Sequence, residues 1–166
     1  MSTNRMRYET LVKQYHADLY KYACWLIGDT SIAQDVLQEA FLRAWKSIDS
    51  LQDDKSAKAW FITIIRRENA RRFERKQFDL VDIDFIHIED EKTMSDQQLI
   101  TTEIREHMMM LSEEYREPLL LQIVLGYSTD EISQTLSLNQ KTVLTRLYRA
   151  RNQLSHVVNQ TEKQRS

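Results

Sequence analysis

The stretch 128-STDEISQTLSLNQKTVLTRLYRAR-151 decides the fold. Ser128 followed by Glu131 fits a capping box, in which hydroxyl and carboxylate satisfy orphan N–H groups reciprocally. A short helix to Leu136 follows. Ser137, Leu138 and Asn139 make a tight turn, and a last helix runs from Gln140 to Leu154. Two short helices joined this way must bury a shared apolar seam to hold their angle. Ile132, Leu136, Leu138, Val143, Leu147, Ala150 and Leu154 supply it, with positions 143, 147, 150 and 154 on one helical face. The other faces carry Lys141, Thr142, Thr145, Arg146, Tyr148, Arg149 and Arg151, with no acid between 140 and 154. A recognition helix needs this pattern: long donors for base edges and phosphates, and an apolar back to seat it. An ordinary helical hairpin with a solvated basic face carries it too, so this segment alone leaves both open.

Upstream, residues 100–111 give one helix. Ser112 can cap the next, which ends at Gly126 and contains Pro118, where a missing donor can bend it. Met108, Met109 and Met110 read as core or interface filler. Residues 155–166 read as a frayed tail.

At the other end, Leu11, Tyr15, Leu19, Tyr22 and Leu26 recur at helical spacing over residues 8–27. Gly28 suits a left-handed helix end, and Asp29, Thr30 or Ser31 can cap a second helix. That helix carries Ala33, Leu37, Ala40, Phe41, Ala44 and Ile48 on one stripe, and Asp35, Gln38, Glu39 and Arg43 on another face. A polar loop spans residues 49–57. A third helix begins near Ser56, apolar first and then basic. From Lys58 to Lys76 there are seven Lys/Arg against two Glu. Arg67, Arg71 and Arg75 align on it, as do Arg72 and Lys76. Cations favour a helix C-terminus, which explains one or two of the six between 66 and 76; a stripe that neutralises phosphates explains them all.

Residues 77–99 reverse the charge, with seven Asp/Glu and one Lys. Alternation over 81–88 hints at a strand, but no partner strand is visible, so the segment is taken as an extended acidic linker.

The chain has 166 residues, two glycines, one proline and one cysteine. Sheets and barrels need many Gly- and Pro-rich turns, so a β-rich fold is excluded, as is a glycine-rich phosphate loop. One cysteine excludes a disulfide framework and a multi-Cys zinc site; Cys24 on an apolar helix reads as packing. No signal peptide or membrane span is apparent, so a soluble, cytoplasmic protein without membrane insertion is expected. The expected fold is all-α: an N-terminal helical bundle (1–76), an acidic linker (77–99), and a C-terminal helix-turn-helix domain with a polar tail (100–166). The net charge of −2 argues against a nucleic-acid binder only until its parts are located. It is a difference between basic blocks at 58–76 and 140–154 and an acidic block between them.

Paired carboxylates such as Asp35 and Glu39 can do acid–base work, but no His or Ser is placed near them by spacing. His16, His87, His107 and His156 lack metal-ligand spacing. No catalytic residue, metal or cofactor is expected.

The order of parts adds a resemblance. An apolar helix precedes A-x-D-x-x-Q-E-x-F-L-R-A-W (33–45). A polar loop, AWFITIIRR, the acidic segment, LSEEYREPLLLQIVLGYSTDEISQTL and TVLTRLYRAR follow. Over roughly 8–154 the chain resembles the extracytoplasmic-function (ECF) sigma factors, promoter-specificity subunits of bacterial RNA polymerase. The resemblance implies core-polymerase contacts at Asp35, Gln38, Glu39 and Arg43. It implies capture of a flipped −10 base by Ser50, Gln52, Asp53, Asp54 and Lys55. Promoter contacts near −10 fall to Arg66, Arg67, Arg71, Arg72 and Arg75, and −35 contacts to Lys141, Thr142, Thr145, Arg146, Arg149 and Arg151. Trp60 matches a mostly structural position. The implied partners are core RNA polymerase, promoter DNA and, as often in the family, an anti-sigma factor. The acidic linker would pass through the polymerase RNA channel as a nucleic-acid mimic. Two positions depart from the family. Leu144 stands where Lys or Arg is usual, where it touches a thymine methyl or packs locally. Arg71 stands where an acid is common.

A stand-alone helix-turn-helix regulator is the first rival, but it leaves the 33–45 face and the acidic segment unexplained. An enzyme or metal protein is the second, and it lacks a His/Cys/Asp cluster.

Overall fold

A computed structural model of the chain describes residues 2–79 and 96–165. All regular structure among them is helical. The order is α1 (Ser2–Ile27), α2 (Thr30–Lys46), α3 (Ala57–Asp79), α4 (Asp96–Met109), α5 (Glu113–Leu125), α6 (Thr129–Leu136) and α7 (Gln140–Arg165). Single 3-10 turns at Ile48–Ser50 and Asp54–Ser56 lie between α2 and α3. No described helix is long and apolar enough to cross a membrane.

The boundaries follow from local chemistry. Gly28 (φ 81°) and Gly126 (φ 66°) end α1 and α5 in the left-handed region that only glycine enters cheaply. A Cβ at Gly28 would also meet the Met109 sulfur at 3.2 Å, so α4 rests on the end of α1. Beyond Gly126 the Tyr127 N–H reaches back to the Leu121 carbonyl at 3.1 Å. Asp29 is the α2 cap, accepting from the Ile32 N–H at 3.0 Å. The capping box at α6 is complete: Ser128 Oγ accepts from the Glu131 N–H at 3.1 Å, and Glu131 Oε1 from the Ser128 N–H at 3.3 Å. Ser137 turns the chain with φ 55°, and Asn139 Oδ1 caps α7 through the Thr142 N–H at 2.7 Å.

Several expected boundaries move. Helix α1 starts at Ser2 rather than near residue 8, and Ser112 makes no side-chain cap bond on α5. Pro118 sits inside α5, buried. Of the expected acidic linker, 77–79 continue α3 and 96–99 open α4, because each added helical residue gains a bond once the helix exists. The rest of that segment, including the 81–88 alternation, lies outside the described residues. The expected frayed tail is instead the end of α7. Val157, Val158 and Thr161 continue the stripe of Leu154 and are half-buried, and Thr161 Oγ1 meets His107 Nε2 of α4 at 3.1 Å.

Helices α1, α2 and α3 pack as a bundle around Leu19, Tyr22, Leu26, Phe61, Ile62 and Ile65. In the C-terminal half, α5, α6 and α7 pack around Leu119, Leu120, Leu121, Ile132 and Val143. The two halves touch, since α5 lies against α1 and α6 against α3. Tyr127 is buried at this contact, facing Glu131 of α6 and Asp18 and Tyr15 of α1. Burial first, and these neighbours second, push its phenol up to about 12.

Raising a phenol's pKa favours its neutral form in the fold. That stability is fully present below pH ~10 and is lost as pH rises toward 12, amounting to at most about 3 kcal/mol before solvent screening reduces it. Tyr127→Phe should therefore flatten the fall in urea midpoint between pH 9 and pH 11. An unchanged slope would place the alkaline sensitivity elsewhere.

Candidate nucleic-acid interface

The loop before α3 is fastened from below. Leu51 is buried and pins its centre. From α1, Arg7 donates to the Leu51 carbonyl (2.6 Å) and to Asp54 Oδ1 (2.6 Å), and Asn4 donates to Asp49 Oδ1 (2.8 Å). Asp53 accepts from the Lys55 N–H at 3.0 Å, shaping the second 3-10 turn. Ser50, Gln52, Asp53, Asp54 and Lys55 are all exposed, with Ser50 donating to the Ser47 carbonyl (2.6 Å). Four of them, all but Asp54, line one cleft of about 750 Å³ with Trp60, Thr63, Arg67 and, from the other half, Tyr127, Glu131, Gln134 and Thr135.

The arginines of α3 divide. Arg66 turns to the C-terminal half, donating to both Glu117 oxygens (2.6 and 3.2 Å) and to the Thr135 carbonyl (3.3 Å). Burial disfavours its charge, and the Glu117 carboxylate more than offsets that, so its pKa rises. Arg67 is exposed in the cleft. Arg71 donates to Glu68 Oε1 at 2.6 Å. Arg72 donates to Asn69 Oδ1 (3.2 Å) and lies 4.6 Å over the Phe73 ring, and burial lowers its pKa. Arg75 is exposed beside a second cleft that Asp35, Glu39, Glu68 and Arg72 also line.

Glu68 explains the unusual Arg71. Its side chain is 4 % exposed and pairs with Arg43 of α2 as well as with Arg71. Arg71 thus has its acidic partner one turn earlier on α3. On α2, Asp35, Glu39 and Arg43 share one strip, with Arg43 3.8 Å from Glu39, while Gln38 faces a groove lined by Val12, His16, Tyr20 and Phe41. Exposed Leu42 and Trp45 lie among these polar residues. Both stand inside the 33–45 motif, which was the available signal for them.

On α7 the buried seam is Val143, Leu147 and Ala150. Lys141, Leu144, Thr145 and Tyr148 share the outward face at i, i+3, i+4 and i+7, and Arg149 is exposed beside them. Thr145 Oγ1 donates to the Lys141 carbonyl at 3.0 Å. Thr142 and Arg146 are half-buried flanks, and Arg151 is drawn onto Gln122 of α5. Among the described residues no group of His, Cys, Asp and Glu is placed to hold a metal ion.

Residues 11–78 match the family described as Sigma-70 region 2, and residues 101–154 match Sigma-70, region 4. The chain is 30% identical over 139 residues to the ECF RNA polymerase sigma factor EcfG of Rhodopseudomonas palustris, covering 82% of this chain and 77% of that one. The chain belongs to the ECF RNA polymerase sigma factors. It is likewise 30% identical over 145 residues to the ECF sigma factor SigL of Mycobacterium tuberculosis, covering 84% and 82%. Among solved structures it resembles the sigma factor RpoE from Bartonella quintana, determined in complex with the anti-sigma factor NepR. The TM-score is 0.73 at 25% identity, over 91% of this chain and 96% of that one. This ECF sigma factor is thus an RNA polymerase transcription initiation factor, with an all-α fold.

Glu68 ties α2 of this sigma factor to α3, and Glu68→Ala tests that. Removing one partner of a buried pair costs 3–5 kcal/mol when the orphaned charge stays buried. Arg43 and Arg71 are about 40% exposed and can reach water, so about 1–3 kcal/mol is expected. The urea midpoint should fall accordingly; an unaltered midpoint would mean the ion pairs contribute nothing.

Proposed function

We propose that this sigma factor works in the cytoplasm, carries no catalytic residue of its own, and divides its task between two domains. The N-terminal domain binds core polymerase through Asp35, Gln38, Glu39 and Arg43. It holds the −10 element through the 50–55 loop, Arg66, Arg67, Arg71, Arg72 and Arg75. The C-terminal domain reads −35 with Lys141, Thr142, Thr145, Arg146, Arg149 and Arg151, the last of which also donates to Gln122 of α5. The observation that carries this is the mounting of α7: an apolar seam seats it, and an acid-free outward face stands exposed. The acidic segment is assigned to the RNA channel. RpoE's complex with NepR supports an anti-sigma partner for this chain as well.

Function also requires the halves to separate. Elements centred at −10 and −35 are about 25 base pairs apart, or about 85 Å at 3.4 Å per base pair. Here the loop and the helix-turn-helix line one cleft, and Glu117 occupies Arg66. Residues 80–95 reach about 55 Å when extended, which together with the breadth of the domains covers the distance. Opening therefore exchanges Glu117 for DNA phosphate at Arg66.

Run-off transcription with purified core polymerase on promoter fragments tests the central claim. New start sites should depend on the protein, and none appearing would refute it. Glu39→Arg should lose competition for core while keeping its helical circular dichroism. Spectroscopic labels at positions 52 and 152 should move apart by tens of ångströms on promoter binding; a constant separation contradicts the opening.

A further inference from the structure

On the outward face of α7, Leu144 and Tyr148 stand one turn apart and are 56% and 68% exposed. They share that face with Lys141 and Thr145. Leu144 therefore does not pack into its own domain, which removes the local-packing alternative. An exposed leucine on a soluble helix is ordinary in isolation. Here it lies in the N-terminal half of a recognition helix, the part that meets base edges.

The largest apolar group in the major groove is the C5-methyl of thymine, with only the small C5–H edge of cytosine beside it. A long aliphatic side chain buries most against that methyl. Leu144 carries no donor, so it makes no contribution to phosphate binding and none to guanine or adenine hydrogen bonding. Tyr148, one turn further on, extends the apolar strip with its ring and keeps a hydroxyl for the backbone side. Lys141 and Arg149 on either side supply the charge that holds the helix in the groove.

We propose that Leu144 is a specificity-determining residue that reads a thymine methyl in the −35 element, with Tyr148 completing an apolar strip beside it. This rests on the assignment of α7 to −35. It makes the preferred element thymine-containing under the N-terminal half of α7, where a Lys or Arg at position 144 would favour a hydrogen-bonding purine instead.

The test uses the sigma factor in holoenzyme, bound to a promoter fragment that supports run-off transcription. Each −35 thymine, on either strand, is replaced in turn by deoxyuridine, which removes only the methyl. At one position binding should weaken about 4-fold, the ratio that corresponds to ~0.8 kcal/mol for one buried methyl-sized group. Leu144→Ala should bind thymine and uracil fragments alike at that position and keep the wild-type salt dependence. Leu144→Ala alters an exposed side chain, so folding is preserved. Specific binding that ignores deoxyuridine everywhere, a preferred −35 element with no thymine, or an undiminished effect in Leu144→Ala would overturn the proposal and leave the sigma-factor reading standing. Holoenzyme that protects −10 but makes no −35 contact at all would overturn the −35 assignment, and this proposal with it.

Discussion

The burial of α5 is the contact on which both halves of the structure depend. Leu119, Leu120 and Leu121 are no more than 1% exposed, and α5 packs α7 and α6 on one side and α1 on the other. Three consecutive buried leucines cannot share one helical face, so α5 has to be covered on more than one side. Each such side chain contributes about 1.5–3 kcal/mol. The same helix therefore seats α7 and joins the two halves. Apolar burial is non-directional. The direction comes from the rim, where Glu117 of α5 binds Arg66 of α3. A contact built this way is firm in the free chain, yet the proposed opening needs only an equivalent anionic partner for Arg66 to replace it.

Three of the arginines of α3 are already engaged, while Arg67 and Arg75 stand exposed. Arg66 is held by Glu117, Arg71 by Glu68, and Arg72 by Asn69. On the proposed reading, DNA binding at these three is an exchange of partners, so its net strength is smaller than a count of arginines implies. On α7, Lys141 and Arg149 are exposed on and beside the outward face. The cations of α7 thus stand open to solvent, while the arginine stripe of α3 is partly covered. Glu68 links two helices, since it grips both Arg43 of α2 and Arg71 of α3.

Much of the architecture was legible locally. Helical spacing marked α1, α2, α3 and the two helices of the turn, the capping box at Ser128 and Glu131 formed as its residue types require, and Gly28 and Gly126 ended their helices. The misjudged ends share a cause. Composition changes at residue 77, but a helix stops where its hydrogen bonds stop, and α3 runs on to Asp79. The end of α7 looked polar, yet Val157, Val158 and Thr161 carried the stripe onward. Leu42 and Trp45 went unremarked as surface residues because apolar side chains are ordinarily assigned to the interior.

Periodicity, caps and charge blocks act within a few residues, and so the helices, the seam of the helix-turn-helix and the basic and acidic zones could be read directly from the chain. Partnerships between residues distant in sequence could not. Arg7 fastening a loop 44 to 47 positions away, Glu117 claiming Arg66 across 51 positions, and Glu68 of α3 meeting Arg43 of α2 depend on which helix faces come together. That is settled by packing of the whole core, because an ion pair forms only where burial has already brought its two ends within reach.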